Sequence, residues 1–102
     1  MIIKEDTDKV FKVEIELEGI SKAEVLFKIT PPYAAIHVNM ESMSLSLLKQ
    51  MKKDFIVLTE HLKTRGCTHV VGVHPTYSDM RWIKFTALFG FSKPTLTTYL
   101  EI

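Results

Sequence analysis

The hydrophobic period of the chain changes near residue 44, and this change limits the folds that the chain can adopt. From Phe11 to Glu18 apolar and charged residues alternate strictly, which is the pattern of a strand with one buried and one solvated face. Farther along, apolar residues recur every three or four positions, as on one face of a helix. These residues are Leu45, Leu48, Met51, Phe55, Leu58 and Leu62. Two periods in succession predict strands that pack against a helix.

Two more strands are predicted between the first strand and the helix. The first of them spans Ala23–Thr30, and Pro31 and Pro32 end it because neither residue can donate to a sheet. The next spans Tyr33–Val38 and is apolar on both faces except at His37, so we expect it at the centre of the sheet. Since the connections are short, we expect these three strands to form an antiparallel meander.

The long helix carries recognisable signals at both ends. Ser42 and Ser44 are candidate N-caps, because a serine oxygen can accept a hydrogen bond from the free amides of the first turn. Gly66 suits the left-handed position that follows a helix C-terminus. This helix should connect two parallel strands by a right-handed crossover.

The remaining segments complete one predicted domain over residues 1–102. We expect Met1–Lys9 to be an arm or a first strand, Thr68–His74 a strand, Ser78–Gly90 a second helix and Thr95–Ile102 a last strand. The predicted class is α/β (α+β), a mixed sheet in the order β-β-β-α-β-α-β. An antiparallel meander comes first and a parallel β-α-β unit follows it.

Composition excludes several classes of protein. The 102 residues are 46% hydrophobic and 25% charged, as in a globular domain, and the net charge of +1 argues against a nucleic-acid partner. Cys67 is the single cysteine, which excludes an intramolecular disulfide and fits a reducing compartment. The first residues are charged and no apolar run is long enough to cross a bilayer, so we expect a cytoplasmic protein, of a cell or an infected host, with no membrane partner.

A motif in the second predicted helix and the order of the elements resemble the GNAT N-acetyltransferase fold. The ending Phe89-Gly90-Phe91 is similar to the family's Leu-Gly-Phe, while Asp79 replaces its asparagine and Thr86 its tyrosine. We expect this domain to lack the N-terminal acceptor-site helices of the family, because only about ten residues precede its first clear strand. The chain is also similar in form to short acetyltransferase-like proteins encoded by phages. The resemblance implies a GNAT-like domain that uses acetyl-CoA.

A loop between the central strand and the long helix aligns with the pyrophosphate loop of the family. The segment Asn39–Ser44 takes that place, with serines where the family has glycines and with an added charge at Glu41. Amides at a helix N-terminus and the helix dipole favour an anion there. The resemblance implies that acetyl-CoA is bound by Val38, Asn39, Ser42, Met43, Ser44, Asp79 and Phe85.

The family reaction is direct attack of an amine on the thioester, with a general base and often a tyrosine acid. His37 is the candidate base; its alternative role is a histidine satisfied by hydrogen bonds at a sheet face. Tyr77 is the candidate acid, and its alternative role is simple packing. Glu41 could serve as base or as a solvated capping residue. We expect no metal site and expect Cys67 to be a small buried side chain.

Two functions therefore remain open. One is an acyl-CoA-dependent N-acyltransferase that transfers acetyl from acetyl-CoA to an amine acceptor. The other is a non-catalytic protein that keeps the GNAT fold as a structural or interaction module. A homodimer is compatible with both, because a second subunit could supply a missing acceptor wall.

Overall fold

Six strands form one sheet, and a 20-residue helix lies on one of its faces. The computed structural model describes residues 1–42, 44–73, 87–90 and 97–102. The strands are β1 (Ile2–Asp6), β2 (Val10–Leu17), β3 (Ile20–Thr30), β4 (Tyr33–Met40), β5 (His69–Val73) and β6 (Thr97–Glu101), and the helix is α1 (Leu45–Thr64).

The strands lie side by side in the order in which they occur in the chain. Strands β1 to β4 are antiparallel neighbours, β4 and β5 are parallel, and β5 and β6 are antiparallel. The predicted mixed sheet, with its meander followed by a parallel β-α-β unit, is therefore confirmed. Of the two alternatives for Met1–Lys9, the structure shows a strand, β1. Most of the predicted second helix lies outside the described residues; its end is described from Ala87 to Gly90, and Gly90 has a φ of 87°.

The alternation predicted for β2 decides which face of the sheet is buried. Phe11, Val13 and Ile15 are 2%, 0% and 1% exposed, while the charged residues between them lie on the opposite face. The aromatic ring of Phe11 stacks on that of Phe27 with 6.2 Å between their centroids. The rest of this core comes from β3, β4, α1, β5 and the segment between α1 and β5: Ala23, Val25, Ile29, Ala34, Ile36, Leu47, Met51, Leu58, Leu62, Cys67 and Val70.

Both ends of α1 are capped as the sequence predicts. The Ser44 hydroxyl oxygen accepts a hydrogen bond from the Leu47 N–H over 3.1 Å, so Ser44, rather than Ser42, is the N-cap. At the other end Gly66 has a φ of 85°, and the Cys67 N–H donates to the Leu62 carbonyl over 3.0 Å. This is a Schellman motif, and the side chains of Leu62 and Cys67 are both buried in the core.

The buried stripe of α1 differs from the predicted one. Its fully buried residues are Leu47, Met51, Asp54, Leu58 and Leu62. Leu45, which the predicted stripe includes, is 68% exposed. Residues two positions apart lie on nearly opposite sides of a helix, at about 100° per residue, so a helix that buries Leu47 must expose Leu45. The helix is thus rotated toward the side that carries Asp54.

Candidate functional site

The described pairing of β4 with β5 stops before β4 ends. Their pairing runs from Tyr33 opposite His69 to Ile36 opposite Gly72, and β4 continues to Met40 beyond the last described pair. The Pro32 carbonyl accepts a hydrogen bond from the His69 N–H over 3.2 Å, which fixes the side of β4 that faces β5.

Along a strand the backbone N–H and C=O groups of successive residues point to opposite sides, and this alternation identifies the β4 residues whose groups face β5. Because the carbonyl of residue 32 faces β5, the backbone groups of Ala34, Ile36 and Val38 also face that side. Val38 lies beyond the last described pair, so no β5 pairing is described for its N–H and C=O. Val38 therefore lies on the side of β4 that faces β5, beyond the last described pair.

His37 is the first β4 residue beyond the last pair, and its side chain lies on the face of the sheet opposite α1. The residue is exposed and lies opposite Leu26 of β3. Val38 is half-buried and packs against the core on the other face. The candidate base is thus adjacent in the chain to Val38, and its imidazole lies on the helix-free face.

An open groove of about 320 Å³ lies on this helix-free face near the end of β4. Glu14, Glu24 and Asn39 lie side by side across β2, β3 and β4 and form part of its lining. Lys22, Glu41 and Ser42 line it as well. The groove therefore joins the open face of the sheet to the loop that precedes α1.

Two lysines compensate the neighbouring glutamates of this groove. Like charges directly opposite each other destabilise a sheet, and Glu14 lies opposite Glu24. The Lys4 ammonium is 3.8 Å from the Glu14 carboxylate, and the Lys12 ammonium is 3.5 Å from the Glu24 carboxylate. These exposed ion pairs offset the repulsion while leaving all four groups in contact with water.

The start of α1 offers backbone amides to an anion. Ser44 serves two of the first amides, because its hydroxyl accepts from Leu47 and its carbonyl accepts from the Leu48 N–H over 3.0 Å. The N–H groups of Leu45 and Ser46 come earlier in the first turn, where a helix provides no backbone acceptor. The first turn carries no acidic residue, although Glu41 lies exposed just before it.

The structure brings together five of the nine residues that the sequence suggested for the site. His37, Val38, Asn39, Ser42 and Ser44 lie along the end of β4 and the start of α1. Met43, Tyr77, Asp79 and Phe85 lie outside the described residues, and their roles stay predictions.

Sequence reasoning missed Glu14, Lys22 and Glu24, which reach the groove from the β2–β3 hairpin. Alternation places both glutamates on the solvated face, but it does not give the register between the two strands.

Cys67 is buried and lies away from this site. The residue is 2% exposed, and its thiol is 3.7 Å from the Tyr33 carbonyl oxygen, at the opposite end of β4. Burial raises the pKa of the Cys67 thiol, and the nearby Arg65 guanidinium opposes this effect only in part. The interpretation as a small buried side chain is confirmed. Among the described residues, no cluster of His, Cys, Asp and Glu is placed to hold a metal ion, and no helix is long and apolar enough to span a membrane.

Three solved structures are similar to this chain over most of its length. The GNAT domain of S. lividans PAT matches with a TM-score of 0.73 and 12% identity, over 97% of this chain and 64% of its own. The aminoglycoside acetyltransferase AAC(6')-Ib in complex with coenzyme A matches with a TM-score of 0.66 and 16% identity, over 92% of this chain and 67% of its own. A variant of a cAMP-binding acyltransferase from Mycobacterium smegmatis matches with a TM-score of 0.63 and 12% identity, over 95% of this chain and 31% of its own.

These likenesses show that the chain has a GNAT-like fold. No protein-family model matches the sequence, and no curated protein matches it. The chain spans 64% of the first of these structures and 31% of the third. At 12% to 16% identity the likeness is one of fold, and fold alone does not establish an activity.

Proposed function

We propose that this GNAT-like domain is an acyl-CoA-dependent N-acyltransferase, which transfers acetyl from acetyl-CoA to an amine acceptor. The observation that carries this proposal is the position of Val38, which lies on the β5 side of β4 beyond the last described pair and a few residues before the N-terminus of α1; we infer that its backbone forms an open edge. An extended amide-containing chain can pair with such an edge, and a pyrophosphate can accept from free helix amides. A structural neighbour in complex with coenzyme A supports the same ligand.

In this proposal the chain binds the donor mainly through its backbone. Val38 supplies the N–H and C=O of the open edge, and Leu45 and Ser46 supply N–H groups at the start of α1. Serine at positions 42 and 44 is small enough to let a phosphate approach. Glu41 opposes the pyrophosphate electrostatically, so its exposed side chain must turn toward solvent when the donor binds.

His37 is the proposed general base. A neutral imidazole at the helix-free face removes a proton from the ammonium of the acceptor and leaves an amine with a free electron pair. That pair forms a C–N bond to the thioester carbonyl, the C–S bond breaks, and its electrons leave on sulfur. The thiolate takes a proton from the proposed acid, Tyr77, which lies outside the described residues. The second proton of the amine nitrogen passes to the oxygen of that acid, which is thereby restored.

A non-catalytic interaction module is the second candidate, and one observation favours it. Three carboxylates, Glu14, Glu24 and Glu41, line the groove next to the proposed phosphate site. A cofactor with several negative charges is disfavoured near them, although Lys4 and Lys12 reduce this effect. A homodimer, a cytoplasmic location and a phage origin stay predictions under either function.

Binding of acetyl-CoA to the whole chain tests the first candidate. Any ligand that binds only the native state stabilises it by mass action, so millimolar acetyl-CoA should raise the Tm. In a ¹⁵N-labelled sample the amide signals of Val38, Leu45 and Ser46 should shift on addition of the ligand. No change in Tm together with no shift of these signals would favour the non-catalytic module.

A charge variant then places the phosphate site. Ser42→Asp adds a negative charge beside the start of α1 and should weaken acetyl-CoA binding about tenfold or more. Thr30→Asp is the matched control, because it adds the same charge at the exposed opposite end of the sheet. Equal weakening by both variants would show that the phosphate does not bind at this loop.

A further inference from the structure

The first strand is attached to the rest of the fold mainly at its two ends. All five residues of β1 are exposed, and within the sheet β1 pairs only with β2. Its register shifts between Ile3 and Glu5, which interrupts the regular ladder near Lys4. A short, exposed and interrupted edge strand is among the least protected parts of a fold.

Side chains at the C-terminal end of α1 and at its C-cap contact the C-terminal end of β1. The Arg65 Nη1 is 2.6 Å from the Asp6 carboxylate, and its second nitrogen donates to the Thr7 carbonyl. The His61 Nε2 is 3.5 Å from the same Asp6 oxygen. We call these three side chains, Asp6, His61 and Arg65, the Asp6 latch.

Neighbouring residues fix the positions of His61 and Arg65 in the latch. The His61 ring packs against that of buried Phe11, with 4.3 Å between the centroids. Arg65 is the C-cap of α1 and precedes the left-handed Gly66, in a motif closed by backbone hydrogen bonds. The α1 side of the latch is therefore rigid, whereas Asp6 sits at the end of an exposed strand.

A residue in the N-terminal half of β1 affects the charge of the groove. Lys4 is the β1 residue whose ammonium lies 3.8 Å from the carboxylate of Glu14, and Glu14 lines the groove opposite Glu24. If β1 leaves the sheet, Glu14 loses this cation and the groove becomes more negative by one charge. The Thr7 N–H donates to the Val10 carbonyl over 2.8 Å, and this hydrogen bond keeps the turn after β1 closed. The turn can therefore stay intact and serve as the hinge when β1 leaves the sheet.

We propose that β1 is a strap that opens independently of the other strands, that the Asp6 latch holds it shut, and that its opening leaves Glu14 uncompensated in the groove. This proposal does not depend on acyl transfer. It concerns the conformation of the chain and the charge of the groove, and both can be measured without any cofactor.

Amide hydrogen exchange in the full chain tests the strap. Asp6→Asn keeps the shape of the side chain but removes its charge, so the β1–β2 amides should exchange roughly three- to tenfold faster, as expected for loss of an exposed but well-formed ion pair. The amides between β3 and β4 should keep their rates. Asp8→Asn is the matched control, since it removes the same charge in the adjacent turn, where no side-chain contact of Asp8 is described. It should exchange like the wild type.

Two outcomes would overturn the strap. Unchanged β1–β2 exchange in Asp6→Asn means that the latch does not hold the strand. Equal acceleration in β1–β2 and β3–β4 means that the sheet opens as one unit. The wild type gives an independent check, because raising NaCl from about 0.05 M to about 0.5 M should speed β1–β2 exchange. Asp6→Asn should respond less, since, of the ion pairs described at this edge of the sheet, only the Met1–Glu16 and Lys4–Glu14 pairs then remain to be screened.

The link to the groove has its own readout. The carboxyl ¹³C shift of Glu14 should move toward that of a Lys4→Gln variant when the latch is broken by Asp6→Asn. If the β1 amides accelerate while the Glu14 signal stays in place, the strap opens without changing the groove, and that part of the proposal is wrong.

Discussion

On the face of the sheet that α1 covers, side chains such as Val13 and Phe27 are completely buried. On the opposite face the same strands carry Lys12, Glu14 and Glu24, and β4 carries the exposed His37. Apolar burial stabilises the covered face. The opposite, helix-free face, which we also call the open face, carries polar groups near the end of β4. The difference indicates that substitutions on one face should change stability, while those on the other should change binding or chemistry.

Truncation of the covered face should have the largest effect on stability. Phe27 is 0% exposed and stacks on Phe11, so Phe27→Ala removes a large ring and leaves a cavity. We expect the free energy of unfolding to fall by about 3–5 kcal/mol. Urea denaturation followed by circular dichroism measures this change.

The neighbouring residue provides the control for that truncation. Leu26 follows the opposite orientation on β3 and is half-buried on the open face. Leu26→Ala should cost much less than Phe27→Ala. Similar losses at both positions would show that a second core covers the open face.

Asp54 is an exception on the covered face. It is 9% exposed and accepts a hydrogen bond from the Gln50 amide over 3.0 Å, while its second oxygen is buried without a partner among the described residues. Leucine branches at Cγ as aspartate does, although it is larger, and it has no polar group to satisfy, so Asp54→Leu should raise the free energy of unfolding by about 1–3 kcal/mol.

Asp54→Asn separates the causes of that effect. It keeps the size of the side chain and an oxygen for Gln50, and it should give a smaller gain than leucine. A lower stability of Asp54→Leu, measured by the same denaturation, would mean that the buried carboxylate makes a contact essential to the fold.

The N-cap of α1 lies where the two faces meet, and its effect should be smaller. Ser44→Ala removes the acceptor for the Leu47 N–H and should reduce the free energy of unfolding by about 1 kcal/mol. Ser46→Ala is the control, because Ser46 is an exposed residue in the first turn of the helix, two positions after the N-cap. Thermal unfolding of the two variants checks the difference, and an equal Tm would remove the capping role.

The covered face was largely predictable from the sequence, because burial depends on spacing that can be counted. The strict alternation around Val13 and the glycine at position 66 were both interpreted correctly. The helix stripe was partly wrong, since Leu45 and Leu47 are equally apolar and only contact with the sheet decides which one is buried. The burial of Asp54 was not predictable, because acidic side chains are almost never fully buried unless they are paired.

The open face was less predictable, because it depends on register. A plain two-residue turn at Glu18 and Gly19 would place Glu14 opposite Ala23. The register shifts between Ile15 and Glu16, and this irregularity brings Glu14 opposite Glu24 instead. One irregular position therefore decides that two glutamates lie side by side in the groove, and no local pattern states it directly.

His37→Ala should have the smallest effect on stability and, under the proposed function, a large effect on turnover. The residue is exposed, so the free energy of unfolding should change by no more than about 0.5 kcal/mol. If His37 is the general base, the rate of acetyl transfer from acetyl-CoA to an amine should fall by about 10²- to 10⁴-fold. A coupled assay of thiol release measures the rate.

His69→Ala is the matched control for this variant. His69 lies on the same open face but at the other end of the sheet, where its ring packs on Tyr33 with 5.8 Å between the centroids. The His69→Ala variant should keep the wild-type rate of acetyl transfer, because His69 is far from Val38 near the end of β4. Full activity in His37→Ala would end the candidacy of His37 as base, whereas equal losses in both variants would trace the effect to the fold. A selective loss in His37→Ala at unchanged stability is the result that places chemistry on the open face and stability on the covered one.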